Sequence, residues 1–229
     1  MIFLRERIGK LLRDLEGLIY TDETPVSGFR YVQSAEKFPD VSKVNTDDWA
    51  YCDRYPMSWG GHRAYYWFET FVTIPEEMDG QCVVYEQTTG KEDGWDATNP
   101  QFTIYVNNVL KQGLDINHRE VLLTEHAKAG ERYRIMLSAF TGDHNMNLVL
   151  DARIKVLHRE TEKYYYDLKM PYDTACLLRE SDTEYRDIIL NLNESLNLLD
   201  LRKPYSEAYE KSLKAAQDYL DQEFYERYA

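Results

Sequence analysis

"QFTIYVNNVLKQGLD" (101–115) sets Phe102, Ile104 and Val106 against Gln101, Thr103 and Tyr105, breaks at Asn107-Asn108 and resumes with Val109-Leu110. Alternation of period two reads as a half-buried strand. The asparagine pair reads as the tight turn of a hairpin, because asparagine tolerates left-handed backbone. A second stretch, "SWGGHRAYYWFETFVTIP" (58–75), reads as a long aromatic strand ending at Ile74-Pro75. Neither stretch carries a catalytic signature, and both fit a β-sandwich.

Working outward, period two holds from about Val26 to Leu157, punctuated by turn residues at Pro39-Asp40, Gly60-Gly61, Glu76 to Gly80, Gly90 to Pro100, Ala129-Gly130 and Thr141 to Asn145. The strands expected between them are Tyr66 to Ile74, Gln81 to Gln87, Phe102 to Val106, Arg119 to Leu123, Tyr133 to Phe140 and Leu148 to Val156. Short strands at this spacing favour an antiparallel sandwich of the jelly-roll or galactose-binding-like kind over a parallel sheet. Residues 2–19 instead place Leu4, Ile8, Leu11, Leu12, Leu15 and Ile19 at helical spacing, and Thr21 to Pro25 ends that helix. After about residue 160 the helical period returns. Ser181-x-x-Glu184 has the form of a capping box before Ile188, Ile189, Leu192, Leu196 and Leu199. Lys203 to Ser206 makes a break and a new cap, and Leu213, Ala216, Leu220 and Phe224 continue a last helix. The expected organisation is therefore a leading helix over 1–25, a β-sandwich over 26–159 and a helical connector over 160–229.

A chain of 229 residues with 43% hydrophobic residues can bury a full core, so wholesale disorder is not expected. The formal net charge of −13 argues against nucleic acid and against an anionic membrane surface as partners. No apolar run approaches the roughly 20 residues that span a bilayer. Charge enters by Arg5, no signal peptide is legible, and three well-separated cysteines (Cys52, Cys82, Cys176) read as reduced thiols of a cytoplasmic protein.

The chain offers little chemistry. His62, His118, His126, His144 and His158 are scattered and form no His-x-His, His-x-Asp or His-Glu-x-x-His pattern. His118-Arg119-Glu120 reads most simply as solvated polar residues at a loop end. There is no Gly-x-Ser-x-Gly elbow and no phosphate loop, since Gly60-Gly61 runs into His62-Arg63. The aromatic group Trp59, Tyr65, Tyr66, Trp67 and Phe68 reads as core and interdomain surface. One loop, "GKEDGWDATNP" (90–100), supports a ligand hypothesis: Trp95 could stack on a sugar, while Glu92, Asp93 and Asp96 could bond hydroxyls or hold calcium. The plainer alternative is a solvated hairpin loop with its tryptophan folded onto the sandwich.

The aromatic strand ending in Ile74-Pro75, the turn at Gly80, the hydrophobic strand Val83 to Gln87, the hairpin Val106 to Asp115 and the stretch Arg119 to Ala139 together resemble the amino-terminal β-sandwich region of family-38 glycoside hydrolases, the α-mannosidases of cytosolic and bacterial type. Asn108 stands where that family usually has glycine. The tyrosine-rich run 160–229 resembles the connector that leads into the family's catalytic barrel. The resemblance implies zinc-dependent, retaining hydrolysis of α-mannosides by a full-length parent, with zinc held by a His-x-His-x-Asp segment and an aspartate as nucleophile. No His-x-Asp occurs here, so no catalytic or metal residue and no cofactor is carried over to this chain. The expectation is a non-catalytic, inactive leading portion of such an enzyme, partnered by its own downstream catalytic domain. A homo-oligomer and a bound glycan stay open as further partners. Two other functions stay open beside it, a carbohydrate-binding module and a free-standing interaction protein.

Overall fold

The computed structural model describes residues 2–38, 40–88, 100–143 and 146–228. Helix α1 (Ile2–Glu16) comes first, followed by β1 (Tyr20–Val26), β2 (Phe29–Gln33), β3 (Ala50–Cys52) and β4 (Met57–Gly61). Then come β5 (Tyr65–Thr73), β6 (Val83–Gln87), β7 (Gln101–Val106), β8 (Val109–Leu114) and β9 (Glu120–Thr124). The strands close with β10 (Arg132–Phe140), β11 (Met146–Leu150) and β12 (Ala152–Leu157), and the helices α2 (Arg159–Leu177), α3 (Thr183–Leu198) and α4 (Glu207–Tyr219) follow. The chain forms two units. One is 22–157; the other joins 1–21 to 158–229.

The unit 22–157 is an antiparallel sandwich. A six-stranded sheet runs β3-β2-β5-β10-β7-β8, a four-stranded sheet runs β1-β12-β6-β9, and β4 pairs with β11. Every register resolved between these strands is antiparallel. Alternation explains the core: Phe68 and Val72 of β5, Ile135 and Leu137 of β10, and Phe102 and Ile104 of β7 all point inward and are buried with Tyr85 and Ile154 of the smaller sheet. Trp59 packs edge-on to Tyr66 and Phe68 at ring separations of 5.4 and 5.3 Å. The β7–β8 turn is as read from sequence: Asn107 and Asn108 both have positive φ, at 49° and 68°. At Ser27-Gly28 the chain leaves β1 in one sheet for β2 in the other. Gly28 has φ +71°, and a Cβ there would sit 3.3 Å from the Tyr51 hydroxyl, so glycine suits both the backbone and the neighbour.

Three sequence expectations are corrected here. The run Leu148 to Val156 is two strands, because the chain changes sheet at Asp151. Leu150 pairs with Met57, whereas Ala152 pairs with Gln87. The Asp151 carbonyl accepts the Thr88 N–H at 2.9 Å and its carboxylate takes Arg153 at 3.0 Å, which anchors the crossing. Gly60-Gly61 is the end of β4 rather than a turn, and Thr21 to Pro25 lies inside β1 rather than in a break.

A further correction concerns Trp67, which shares its face of β5 with Glu69 and Phe71. Those residues lie on the outside of the six-stranded sheet and do not face the other sheet. Trp67 is buried there by Phe38 and residues 40–49 of the same unit: the Phe38 ring lies tilted against it at 4.9 Å, and Val41 packs beside Met136. A buried ion pair secures this cover. Glu69, only 3% exposed, receives Arg134 Nε at 2.6 Å and the Thr46 hydroxyl at 2.5 Å. Arg134 also donates to the carbonyls of Val41 and Val44 at 3.3 and 3.4 Å. Hydrogen bonds of this kind to the partner and to nearby carbonyls are what make a charge pair tolerable out of water.

The second unit is helical. Ile8, Leu12 and Leu15 form the buried stripe of α1, spaced three and four residues apart, and α1 packs on α2 and α3. Leu192, Leu196, Leu213, Leu220 and Phe224 are all buried within this unit, so these apolar faces are covered by the chain's own helices. Four buried hydroxyls of this unit are paired: Tyr164 with Ser195 at 2.8 Å, Ser195 with the Ala216 carbonyl at 2.8 Å, and Thr161 with Tyr209 at 2.9 Å. Helix α3 starts one residue later than the capping box implies. Asp182 is its N-cap, and the Asp182 carboxylate turns back to accept the Arg179 N–H at 3.1 Å. Ser206 caps α4 as expected, accepting the Tyr209 N–H at 3.3 Å. No helix among the described residues is long and apolar enough to cross a membrane.

Candidate functional site

Trp95, Glu92, Asp93 and Asp96 lie outside the described residues, as does His144, so the loop hypothesis has no structural counterpart here. The remaining histidines stay apart. His118 bonds Asp115 at 3.0 Å at an exposed loop end, matching its plain reading. His158 belongs to the helical unit, where it stacks on Tyr205 at 4.1 Å and meets the Thr21 hydroxyl at 2.9 Å. No group of three or more potential metal ligands occurs among the described residues. Cys52, Cys82 and Cys176 form no disulfide, and the Cys82 thiol donates to the Glu125 carboxylate at 3.5 Å.

The outer face of the six-stranded sheet is the place where polar and aromatic side chains converge. Register fixes a row across it: Tyr51 on β3 opposite Arg30 on β2, Arg30 opposite Glu69 on β5, Glu69 opposite Met136 on β10, and Met136 opposite Tyr105 on β7. Segment 38–49 covers part of this face. Two clefts stay open on the sheet.

One cleft, of about 640 Å³, is lined by Tyr65, Gln101, Thr103, Ser138 and Phe140, with Asp115 and His118 at its rim. Tyr65 and Phe140 stack on each other at 4.7 Å. The other, of about 700 Å³, lies between β2, β3, β5 and the start of β10. Its charged lining is Arg30, Arg132 and Arg134 against Asp47 and Glu69. Arg134 is fully engaged with Glu69 and the cover. Arg30 donates to Asp47 at 3.0 Å. The Arg132 guanidinium rests 3.8 Å from the centre of the Phe71 ring, a cation–π contact at an exposed site. Both volumes fall in the range of small-ligand sites.

What these clefts can do is bind. Glu69, the carboxylate buried deepest in the second cleft, is committed to Arg134 and Thr46, so it is poorly placed to move a proton. Sequence reasoning missed this arrangement. Its signal was visible as Arg132 and Arg134 alternating at the head of an apolar strand, and as a single acid inside "YYWFETFVT".

No family model matches the sequence, and no curated protein matches it. Among solved structures, a β-glucuronidase from Faecalibacterium prausnitzii is similar at a TM-score of 0.40 and 12% identity, over 59% of this chain and 32% of that one. A glycosyl hydrolase family 2 member from Bacteroides cellulosilyticus gives 0.41 and 12%, over 58% and 21%. A β-glucuronidase from Ruminococcus gnavus gives 0.42 and 11%, over 60% and 29%. The chain thus spans a third or less of the length of each of these structures.

Proposed function

We propose that this chain is a non-catalytic scaffold region of a glycoside hydrolase of the α-mannosidase type, with hydrolysis carried out by another domain of the parent. The observation that carries the reading is the coincidence of the family-like motifs with structural landmarks. Ile74-Pro75 closes β5, Gly80 (φ +75°) turns the chain toward β6, and the Asn107-Asn108 pair forms the β7–β8 hairpin. Residues resembling one family's sandwich therefore fall where an antiparallel sandwich needs them. The buried carboxylate Glu69 works as a structural tie, in keeping with a scaffold. In this reading zinc belongs with the hydrolytic domain, and no residue of this chain is assigned to it.

Two measurements test the proposal. The purified chain, supplied with zinc, is expected to show no turnover of aryl α-mannosides; turnover that disappears on a point mutation in this chain overturns the non-catalytic assignment. The encoding reading frame is expected to continue into a His-x-His-x-Asp segment. A stop codon directly after Ala229 overturns the assignment to an α-mannosidase parent.

A further inference from the structure

The cleft lined by Arg30, Tyr51, Phe71 and Arg132 combines two features. First, it gathers three arginines on a chain whose formal net charge is −13. Each is placed by register on the outer face, since Arg30 lies opposite Glu69, Arg134 opposite Phe71 and Arg132 opposite Thr73. Second, it exposes large rings: Tyr51 is 65% and Phe71 43% exposed. A single exposed ring is ordinary; two rings grouped beside a cation offer a flat apolar surface next to positive charge.

The arginines divide the work. Arg134 is held by Glu69, by Asn108 at 2.8 Å and by two carbonyls, so it supports the floor. Arg132 is held only against the Phe71 ring among its described contacts, and a cation–π contact leaves the N–H donors of a guanidinium unspent. The planar fork of a guanidinium matches a carboxylate bidentately, better than it matches a neutral oxygen. Arg30 and its exposed partner Asp47 add a donor and an acceptor on the opposite wall. Tyr51, whose hydroxyl lies over the Gly28 turn, adds a ring face and a hydroxyl.

We propose that this cleft binds a small carboxylate carried on a ring, with the carboxylate on Arg132 and the ring against Phe71 and Tyr51. The Arg30–Asp47 pair then receives hydroxyl groups of the ring. The proposal is independent of the hydrolase reading, because it concerns only the 22–157 unit and would hold for a sandwich attached to any other domain.

Titration of the full chain, followed by calorimetry and by amide NMR shifts, tests it with four probes: glucuronate as a sugar-ring carboxylate, 4-hydroxybenzoate as an aromatic one, glucose as a neutral ring and inorganic sulfate. At least one ring carboxylate is expected to bind, to shift the amides of 28–30, 51 and 69–71, and to bind at least about tenfold more tightly than glucose or sulfate. Which of the two binds identifies the ring type. Arg132→Gln is expected to weaken that binding about tenfold. Phe71→Leu, which keeps an apolar side chain but removes the ring, is expected to weaken it severalfold. Because both side chains are exposed, neither change should alter the circular dichroism spectrum. Equal binding of sulfate, equal binding of glucose, no binding of either carboxylate up to about 10 mM (the weak end of small-ligand affinity), or unchanged affinity in Arg132→Gln would each overturn the proposal.

Discussion

The hydroxyl of Tyr225 donates to the backbone carbonyl of Asp167 at 2.9 Å, and Asp167 is the residue four positions before Pro171 in α2. Proline has no N–H, so it cannot fill the Asp167 acceptor as any other residue would. A side chain from the final helical segment supplies the missing donor. Tyr225→Phe is therefore expected to cost about 1 kcal/mol. In a Pro171→Ala background, where the helix regains its own N–H, that cost should fall by at least half. Thermal unfolding of the four variants in a double-mutant cycle measures it, and additive effects would show that the bond is incidental.

The Glu69–Arg134 pair predicts a strong asymmetry between single and double replacement. Removing one partner leaves the other buried and uncompensated, so Glu69→Ala or Arg134→Ala should each destabilise the sandwich by about 3 kcal/mol. Glu69→Leu with Arg134→Met should cost much less than the sum. All four tryptophans of the sequence (Trp49, Trp59, Trp67, Trp95) lie in 22–157. Urea unfolding followed by tryptophan fluorescence therefore reads this unit directly.

Asn108 offers a test of turn chemistry against side-chain chemistry. Glycine would relax the positive φ of 68°, a gain of a few tenths of a kcal/mol or more. Asn108, however, also accepts Arg134 Nη1 at 2.8 Å, and a hydrogen bond to a charged group is worth about 1.5–3 kcal/mol. The second effect is larger, so Asn108→Gly should lower stability by about 1 kcal/mol, measured by the same urea transition. A stabilising Asn108→Gly would mean that backbone strain dominates the hairpin.

Acid should loosen specific ties. The Asp40 carboxylate is held down to about 2 by the Ser42 hydroxyl, Lys43 and the Ser42 N–H. Burial pushes Glu23 up, but its bonds to Arg153 and Lys155 outweigh that and leave it below the usual carboxylate value. For both, the folded pKa lies below the unfolded one. Their contributions are therefore present above the ordinary carboxylate range, and disappear as pH falls through the folded values. Side-chain carboxyl NMR should show Asp40 titrating near pH 2, and Asp40→Asn, which keeps an acceptor for Ser42 but loses the charge facing Lys43, should remove the pH-dependent part of the tie. An Asp40 midpoint near 4 would refute the Ser42–Lys43 arrangement.

Much of the sandwich was legible because Tyr65–Thr73, Gln101–Val106 and Arg132–Phe140 alternate cleanly. Alternation is a local consequence of having one face in the core. Strands Phe29–Gln33, Ala50–Cys52 and Met57–Gly61 were not legible: they are only three to five residues long, too short to show a period, and Met57–Gly61 pairs with the distant Met146–Leu150. The change of sheet at Asp151 was hidden because no glycine or proline marks it. In the arginine-lined cleft, Glu69 and Arg134 are 65 positions apart and meet only through strand pairing. Trp67 was correctly read as buried, but by the wrong surface. Periodicity says that a face is covered; it does not say what covers it.

The division of the helical unit between 1–21 and 158–229 imposes an order on biosynthesis. Helix α1 leaves the ribosome first, yet the helices that cover Ile8, Leu12 and Leu15 follow roughly 140 residues later, on the order of 10–30 s at ordinary elongation rates. Bringing the two ends of so long a free loop together would cost about 4 kcal/mol of chain entropy. The sandwich removes most of that cost, because its first and last strands, β1 and β12, are neighbours in one sheet and its folding delivers both ends to the same edge. The amide of His158 then donates to the carbonyl of Ile19 at 2.8 Å, the stitch that joins the two pieces. Until that happens the nascent chain carries an amphipathic helix whose apolar stripe of Ile8, Leu12 and Leu15 has no cover.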